Sequence, residues 1–211
     1  MRTRIKICCI SSPVEAALAI AAGADALGLV ARMPSGPGPI SDELIFEISR
    51  KVPPPVATFL LTSETEAAAV VRHWQRVKTN TIQFVDALKS GSYEEIRRGC
   101  AGVRLVQVIH VLDEKSVDEA LAAAENVDAL LLDSGNPNLA VKELGGTGRM
   151  HDWSFSKKIV EKSPIPVFLA GGLKPENARR AIEEVGPFGL DLCSGVRTDG
   201  RLDARKLEAI I

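Results

Sequence analysis

The sequence predicts one α/β domain, a closed (β/α)8 TIM barrel that spans residues 1–211. Eight short apolar stretches alternate with eight amphipathic ones along the whole chain, and alternating strand–helix units are typical of a parallel sheet. No change in composition marks a linker between two domains. An open, doubly wound sheet is the alternative, but it usually stops at five or six strands, and no GxGxxG motif follows the first strand. These observations favour the barrel, which at 211 residues is compact for a fold that typically has about 250.

The first strand, residues 4–10, is short, β-branched and apolar, as buried parallel strands are. Alternation places Lys6 and Cys8 on one face and Cys9 on the other. A buried ammonium group is costly unless it is paired, so this face is expected to lead to a polar site. A nearby cation also favours the thiolate of Cys8, the form that accepts a proton. The alternative is that both cysteines are small buried hydrophobic residues.

The boundaries of the remaining helices and strands are predicted from helix-capping residues, from proline and glycine, and from apolar runs. Ser12 and Ser41 are predicted N-caps, a further helix is predicted to begin at Ser63, and Gly23 and Gly99 end helices. Alternating proline and glycine exclude a helix from residues 32–39. The predicted strands cover residues 4–10, 24–30, 56–61, 81–85, 103–109, 127–132, 165–169 and 190–193. The predicted helices cover residues 13–22, 41–51, 63–76, 92–98, 114–124, 153–162, 175–185 and 202–211.

Composition narrows the classes of partner. The net charge is −1 and the sequence pI is about 6.3, so nothing indicates binding to nucleic acid. No apolar run approaches the roughly 18–20 residues of a membrane span, and no signal peptide is evident, so we expect a cytoplasmic protein. The four cysteines form no CxxC pair and no disulfide framework. Composition carries no information on oligomeric state.

In a barrel of this kind, chemistry takes place at the carboxyl ends of the strands. Polar and small residues are predicted to stand at these ends, which makes them candidates for the site. They are Cys8, Arg32, Gln83, Asp86, His110, Asp133, Gly171, Gly172, Asp191, Cys193, Ser194 and Gly195.

Glycines after the last two strands indicate a phosphate site. Gly171-Gly172 and Ser194-Gly195 expose backbone N–H groups where no Cβ blocks approach. The loops after strands seven and eight commonly hold phosphate in this fold. The alternative is that the glycines only permit tight turns.

Asp133 is the candidate acid. It ends an apolar strand, and removal from water raises the pKa of a carboxyl group toward the range of a general acid. The alternative is that its side chain caps the backbone of Ser134 and Gly135. Together with Cys8 it supplies an acid and a base for one site.

With these residues in place, the chain resembles the phosphoribosylanthranilate isomerase family of tryptophan biosynthesis over nearly its whole length. The opening strand is similar to the family's Lys-Ile-Cys-Gly-Ile/Leu, with Cys9 in place of the glycine. Further motifs match in order and spacing: residues 23–28, Asp133, 145–148, Asp152-Trp153, 169–177, Asp191 and 194–196.

The resemblance implies an Amadori rearrangement of N-(5-phosphoribosyl)anthranilate without a metal or organic cofactor, because the substrate nitrogen serves as the electron sink. Asp133 would protonate the furanose ring oxygen and Cys8 would remove the C2′ proton. The backbone at Gly171, Gly172, Ser194 and Gly195 would hold the 5′-phosphate of this small phosphosugar. The expected substrate contacts are made by Lys6, Arg32, Gln83, His110 and Asp191.

The departures from the family concern the anthranilate end. The family's loop arginine, in a Ser-x-Arg-x-Ile-Ser context, is replaced by glycine within residues 35–41, and Arg32 is the candidate substitute. Residues 83–86, His110 and Cys193 also differ from the usual pattern. Two other functions therefore stay open: a diverged isomerase of another N-linked phosphosugar, and a barrel that binds a phosphorylated ligand without turning it over. A metal site at Cys8, Cys193 and His110 is disfavoured because no ligand spacing supports it.

Overall fold

The computed structural model describes residues 2–135 and 150–211. Eight parallel strands form a closed barrel in the order β1 to β8, and helices alternate with the strands, so the predicted (β/α)8 fold is confirmed. The strands are β1 Arg4–Ile7, β2 Ala26–Val30, β3 Ala57–Thr62, β4 Thr81–Phe84, β5 Arg104–His110, β6 Ala129–Asp133, β7 Val167–Leu169 and β8 Gly189–Leu192. The helices are α1 Pro13–Ala22, α2 Asp42–Lys51, α3 Ala67–Val77, α4 Tyr93–Gly99, α5 Lys115–Ala124, α6 Trp153–Lys162, α7 Pro175–Val185 and α8 Ala204–Glu208. A 3-10 turn, Ser194–Val196, and a hairpin of β9 Arg197–Thr198 and β10 Arg201–Leu202 follow β8.

Two helix boundaries differ from prediction because the residues at those boundaries form tertiary contacts in place of helical ones. Ser63 does not cap α3; its hydroxyl donates to the carbonyl of Arg32, and the helix begins four residues later at Ala67. Glu66 occupies the N-cap position of α3, and its backbone forms an isolated β-bridge with Ser90. The last helix is shorter than predicted because Leu202 pairs in the β9–β10 hairpin, and the Asp203 side chain caps α8.

The first strand ends at Ile7 rather than at residue 10, because Cys9 adopts a left-handed backbone with φ of 60°. This turn rotates the Cys9 side chain inward, so Cys8 and Cys9 both join the apolar cluster inside the barrel. The prediction that the two cysteines point to opposite faces was wrong, since strict alternation holds only while the backbone stays extended.

Apolar side chains fill two layers. One cluster lies between the barrel and its helices, and the other fills the barrel interior. Two edge-to-face ring pairs tie Phe59 to Phe168 and Phe168 to Phe188 within the interior. These rings fill part of the barrel interior with apolar side chains.

Three side-chain clamps brace the amino ends of the strands. Asp25, Asn80 and Asp128 directly precede β2, β4 and β6, and each accepts the N–H of a residue on the preceding strand at 2.8 Å. The three donors are Ile5, Thr58 and Leu105. Such bonds stabilise a fold by about 0.5–3 kcal/mol each, and residues at this end of the barrel serve stability rather than chemistry.

Within the described part of the chain, no helix combines the length and apolar character needed to cross a lipid bilayer.

Candidate active site

A cavity opens at the carboxyl end of the barrel and gathers most of the predicted site. Cys8 reaches it from the end of β1, Gln83 from β4, Asp133 from β6 and Asp191 from β8. Gly171 and Gly172 after β7 and Ser194 after β8 also line it, and Met33, Ser35, Gly36 and Pro37 form its outer wall. Because every strand presents its last residues at the same end, side chains up to 186 positions apart meet here.

Lys6 lies fully buried below this cavity and is paired with Asp191. The β1–β8 register sets the two residues side by side, and Lys6 Nζ is 2.8 Å from Asp191 Oδ1. Burial alone would lower the pKa of Lys6, but the Asp191 carboxylate and the adjacent Cys8 raise it above its ordinary value. The lysine is therefore a fixed positive charge beneath the thiol. It does not line the cavity, so its effect on a substrate acts through Cys8 and Asp191.

Gly28 on β2 provides the space for this arrangement. A Cβ atom built on it would lie 2.8 Å from Cys8 Sγ and 3.1 Å from Lys6 Nζ. Both contacts are shorter than ordinary van der Waals separations, so any larger residue displaces the thiol or the ammonium group.

We therefore expect Gly28→Ala to lower kcat roughly 10- to 100-fold, since a displacement of about 1 Å can cost 10²-fold. The phosphate end lies on other strands, so KM should change little. Steady-state kinetics measures both values, and an unchanged kcat would contradict the packing described for Cys8.

Asp133 ends β6 beside the cavity with only 9% of its surface exposed. Burial raises the pKa of this carboxyl group, against the opposing effects of the Ser134 N–H and of His110. The predicted upward shift is thus present in the structure. The backbone-capping contact that was the alternative role for Asp133 is also present, because the Ser134 N–H donates to Asp133 Oδ1 at 2.7 Å. This bond orients one oxygen of a carboxyl group that holds its proton to higher pH than an exposed aspartate does.

Two of the glycines predicted to hold phosphate, Gly171 and Gly172, line the cavity. Gly171 and Gly172 have φ of 85° and 64°, which only glycine adopts without strain. Asn177 fixes this turn, because its side chain donates to Gly172 O at 3.0 Å and accepts from Lys174 N at 2.9 Å. Gly195 has a structural role that differs from that of Gly171 and Gly172. A Cβ there would collide with the carbonyl of Leu173, so Gly195 lets the two loops approach and does not itself line the cavity.

Two predicted substrate contacts carry unpaired polar atoms. Gln83 Oε1 and His110 Nδ1 are buried without a hydrogen-bond partner among the described residues. Gln83 lines the cavity, so its free oxygen can accept a hydrogen bond from a ligand. His110 lies deeper; its Nε2 is 3.1 Å from Val85 O, and the residue is not part of the cavity wall.

Arg32 is not brought to the cavity. It is exposed and lines a separate depression with His73 and Arg76 on the outside of the barrel. Among the described residues that line the cavity there is no lysine or arginine. The predicted motif at residues 145–148 lies outside the described residues.

Sequence reasoning missed a partly buried ion pair that fixes the backbone of Cys8 and Cys9. Arg197 Nη1 is 2.8 Å from Glu15 Oε1, and Arg197 Nη2 donates to the carbonyls of Cys9 and Cys8, the latter at 3.3 Å. Glu15 also accepts the N–H groups of Ser11 and Leu202. No local pattern links residues 182 positions apart, so only the closure of the barrel reveals this pair.

This ion pair predicts an acid-sensitive fold. Burial by itself would raise the pKa of Glu15, but hydrogen bonds from Arg197, Ser11 and Leu202 lower it to about 2. A depressed pKa contributes stability that is complete above the ordinary value near 4.5 and is lost as pH falls toward 2. Urea unfolding between pH 5 and pH 2.5 should show this loss, and Glu15→Gln should flatten it. An equally steep loss in the variant would contradict the assignment.

In the ranges 2–135 and 150–211, no three His, Cys, Asp or Glu side chains are placed to hold a metal ion.

The closed barrel, with a carboxyl group of raised pKa and a thiol at its catalytic end, defines a (β/α)8-barrel enzyme built for acid–base chemistry. Residues 5–211 match the family model described as N-(5′-phosphoribosyl)anthranilate (PRA) isomerase. The chain belongs to this family.

Individual relatives agree with this assignment. The N-(5′-phosphoribosyl)anthranilate isomerase of Methanosarcina acetivorans is 31% identical, over 100% of this chain and 92% of the relative. The crystal structure of the Thermotoga maritima phosphoribosyl anthranilate isomerase has a TM-score of 0.80 at 29% identity, covering 99% of this chain and 97% of that one. A phosphoribosyl anthranilate isomerase in complex with reduced 1-(o-carboxyphenylamino)-1-deoxyribulose 5-phosphate has a TM-score of 0.77 at 27% identity, covering 99% and 96%.

Proposed function

We propose that this chain catalyses the Amadori rearrangement of N-(5′-phosphoribosyl)anthranilate to 1-(o-carboxyphenylamino)-1-deoxyribulose 5-phosphate, a step of tryptophan biosynthesis. The observation that carries the proposal is the meeting of Cys8, Asp133 and the glycine loops in one cavity of a chain from this family. The partner is a small phosphosugar, and we place the reaction in the cytoplasm.

Asp133 acts first, as the general acid. Burial raises the pKa of this carboxyl group and so favours the protonated form, which can donate to the ring oxygen of the ribose. The C1′–O bond then breaks, and the nitrogen lone pair forms a Schiff base. Asp133 is left as a carboxylate.

Cys8 acts second, as the base. Its sulfur removes the proton from C2′, and the electron pair moves onto the nitrogen to give an enolamine, which tautomerises to the ketone. Lys6 stays protonated below the thiol, because its pKa is raised by the Asp191 carboxylate, so it remains a cation and does not compete as a base. The reaction is an isomerisation, and no proton is gained or lost overall.

Binding is assigned to the two ends of the cavity. The backbone N–H groups at Gly171, Gly172 and Ser194 are proposed to hold the 5′-phosphate. Gln83 Oε1 is proposed to accept a hydrogen bond from a substrate donor, which resolves its unpaired state. The outer wall at Met33, Ser35, Gly36 and Pro37 is proposed to face the aryl group.

A neutral outer wall favours a second candidate, an isomerase of another N-linked phosphosugar. Loss of a charge-assisted contact to the anthranilate carboxylate weakens binding more than loss of a neutral hydrogen bond does. Arg32 lies outside the cavity and does not restore that contact.

A coupled fluorescence assay separates the two candidates. Anthranilate and phosphoribosyl pyrophosphate are supplied with a phosphoribosyltransferase, and the decay of the intermediate is followed after addition of the purified chain. Rapid decay that depends on the chain supports the anthranilate substrate. A background rate, with phosphosugar binding retained, would transfer the proposal to the second candidate.

A further inference from the structure

We propose that Cys193 and Cys9 form a thiol oxidation site, in which a hydroperoxide converts the two thiols into a reversible disulfide at the mouth of the barrel. This modification is separate from the proposed reaction, because neither cysteine is assigned a part in it.

The barrel seam places the two thiols together. Strands β1 and β8 pair with Ile7 opposite Leu192, and the Cys8 N–H donates to Leu192 O at 2.7 Å, so the residues after both strands are neighbours. The sulfurs of Cys9 and Cys193 are 2.8 Å apart. A disulfide bond is about 2.05 Å long, so the sulfurs need to approach by roughly 0.8 Å.

The left-handed turn at Cys9 is what directs its sulfur to this position. Its Cβ fits against Gly38, where an added Cβ would lie only 2.6 Å away. Cys100, by contrast, is buried in the helical layer outside the barrel, away from these thiols. The juxtaposition is therefore confined to the cysteines at the barrel seam, where Cys8 also lies next to Cys9, and does not extend to Cys100.

The two thiols are chemically unequal, as an attacking and a resolving cysteine need to be. Cys193 is partly exposed and lines the cavity, whereas Cys9 is 7% exposed. The hydrogen bond between the two sulfurs, with the Arg197 charge, lowers the pKa of Cys193, and the same hydrogen bond raises the pKa of Cys9. The accessible thiol is thus the better nucleophile, and the buried thiol retains its proton.

The chemistry balances with a hydroperoxide as the oxidant. The Cys193 thiolate attacks one oxygen of hydrogen peroxide, the O–O bond breaks, and hydroxide leaves as sulfur becomes a sulfenic acid. The sulfur of Cys9 then attacks this sulfur, the S–S bond forms, and the S–O bond breaks. The departing hydroxide takes the Cys9 proton. Two thiols and one peroxide give one disulfide and two waters.

Mass spectrometry of the full chain tests the proposal. The protein is treated with hydrogen peroxide, remaining thiols are alkylated, and tryptic peptides are compared with and without dithiothreitol. We expect peptide 7–32, which holds Cys8 and Cys9, to be joined to peptide 181–197, which holds Cys193. The joined mass should be two hydrogens below the sum, and dithiothreitol should separate the peptides. Peptide 99–104, which holds Cys100, should remain alkylated as an internal control.

Two variants identify the partner within peptide 7–32. Cys9→Gly suits the backbone at φ of 60° and should abolish the cross-link, while Cys8→Ser should retain it. Cys193→Ser should also abolish it. Loss of the cross-link in Cys8→Ser with retention in Cys9→Gly would overturn the proposal, as would over-oxidation of Cys193 to the sulfinic acid without any cross-link.

Discussion

Cys8→Ser should lower kcat by about 10²- to 10⁴-fold, the range typical of removing a general acid or base. A serine hydroxyl fits the same space but does not ionise near neutral pH, so C2′ keeps its proton. Inhibition by inorganic phosphate should be nearly unchanged, because the proposed phosphate contacts are backbone N–H groups that the substitution leaves in place. The measurement is steady-state turnover of the generated substrate together with the inhibition constant for phosphate.

Cys100→Ser is the matched control. Cys100 is another buried thiol, but it lies in the helical layer and outside the cavity. The same atom is replaced, so the control should lose some stability and keep its turnover. Comparable turnover in Cys8→Ser and in the unaltered chain would remove Cys8 from the mechanism.

Asp133→Asn should cause a loss of similar size, because an amide cannot deliver a proton to the ring oxygen. In the unaltered chain, activity should fall as pH rises through the raised pKa of Asp133, since only the protonated carboxyl group is competent. The variant should lack this alkaline limb. A profile of kcat against pH for both proteins provides the measurement.

The same strand offers the control, because Asp128 stands just before β6 at the opposite end of the barrel. Asp128 pairs with Arg97 and Arg104 and accepts the Leu105 N–H. Asp128→Asn should therefore lower the midpoint of thermal unfolding while leaving kcat close to that of the unaltered chain. If Asp133→Asn behaved in the same way, Asp133 would belong to the stabilising residues and not to the acid–base pair.

The barrel could be predicted because its strands and helices are specified locally. Apolar runs, serine caps and glycine ends follow from short stretches of sequence, and parallel strands bring their carboxyl ends together whatever the details. The positions of Cys8, Asp133 and Gly171-Gly172 at the cavity follow from that rule alone.

The features that were not predicted depend on closure of the barrel. The Arg197–Glu15 ion pair and the contact between Cys9 and Cys193 join residues more than 180 positions apart. The start of α3 differs from the prediction because the Ser63 hydroxyl donates a hydrogen bond to the Arg32 carbonyl in another loop. Because Arg32 follows a strand, its side chain was predicted to line the cavity. It lies instead in the depression on the outside of the barrel.

The contact between Cys9 and Gly38 constrains how this sequence can change. The family pattern has glycine where Cys9 stands, and counting back from Ile40-Ser41 places its arginine at Gly38. Because the Cys9 side chain fills the space next to Gly38, the two positions are epistatic. Cysteine at position 9 is compatible with glycine at position 38, whereas any side chain at position 38 requires a smaller residue at position 9.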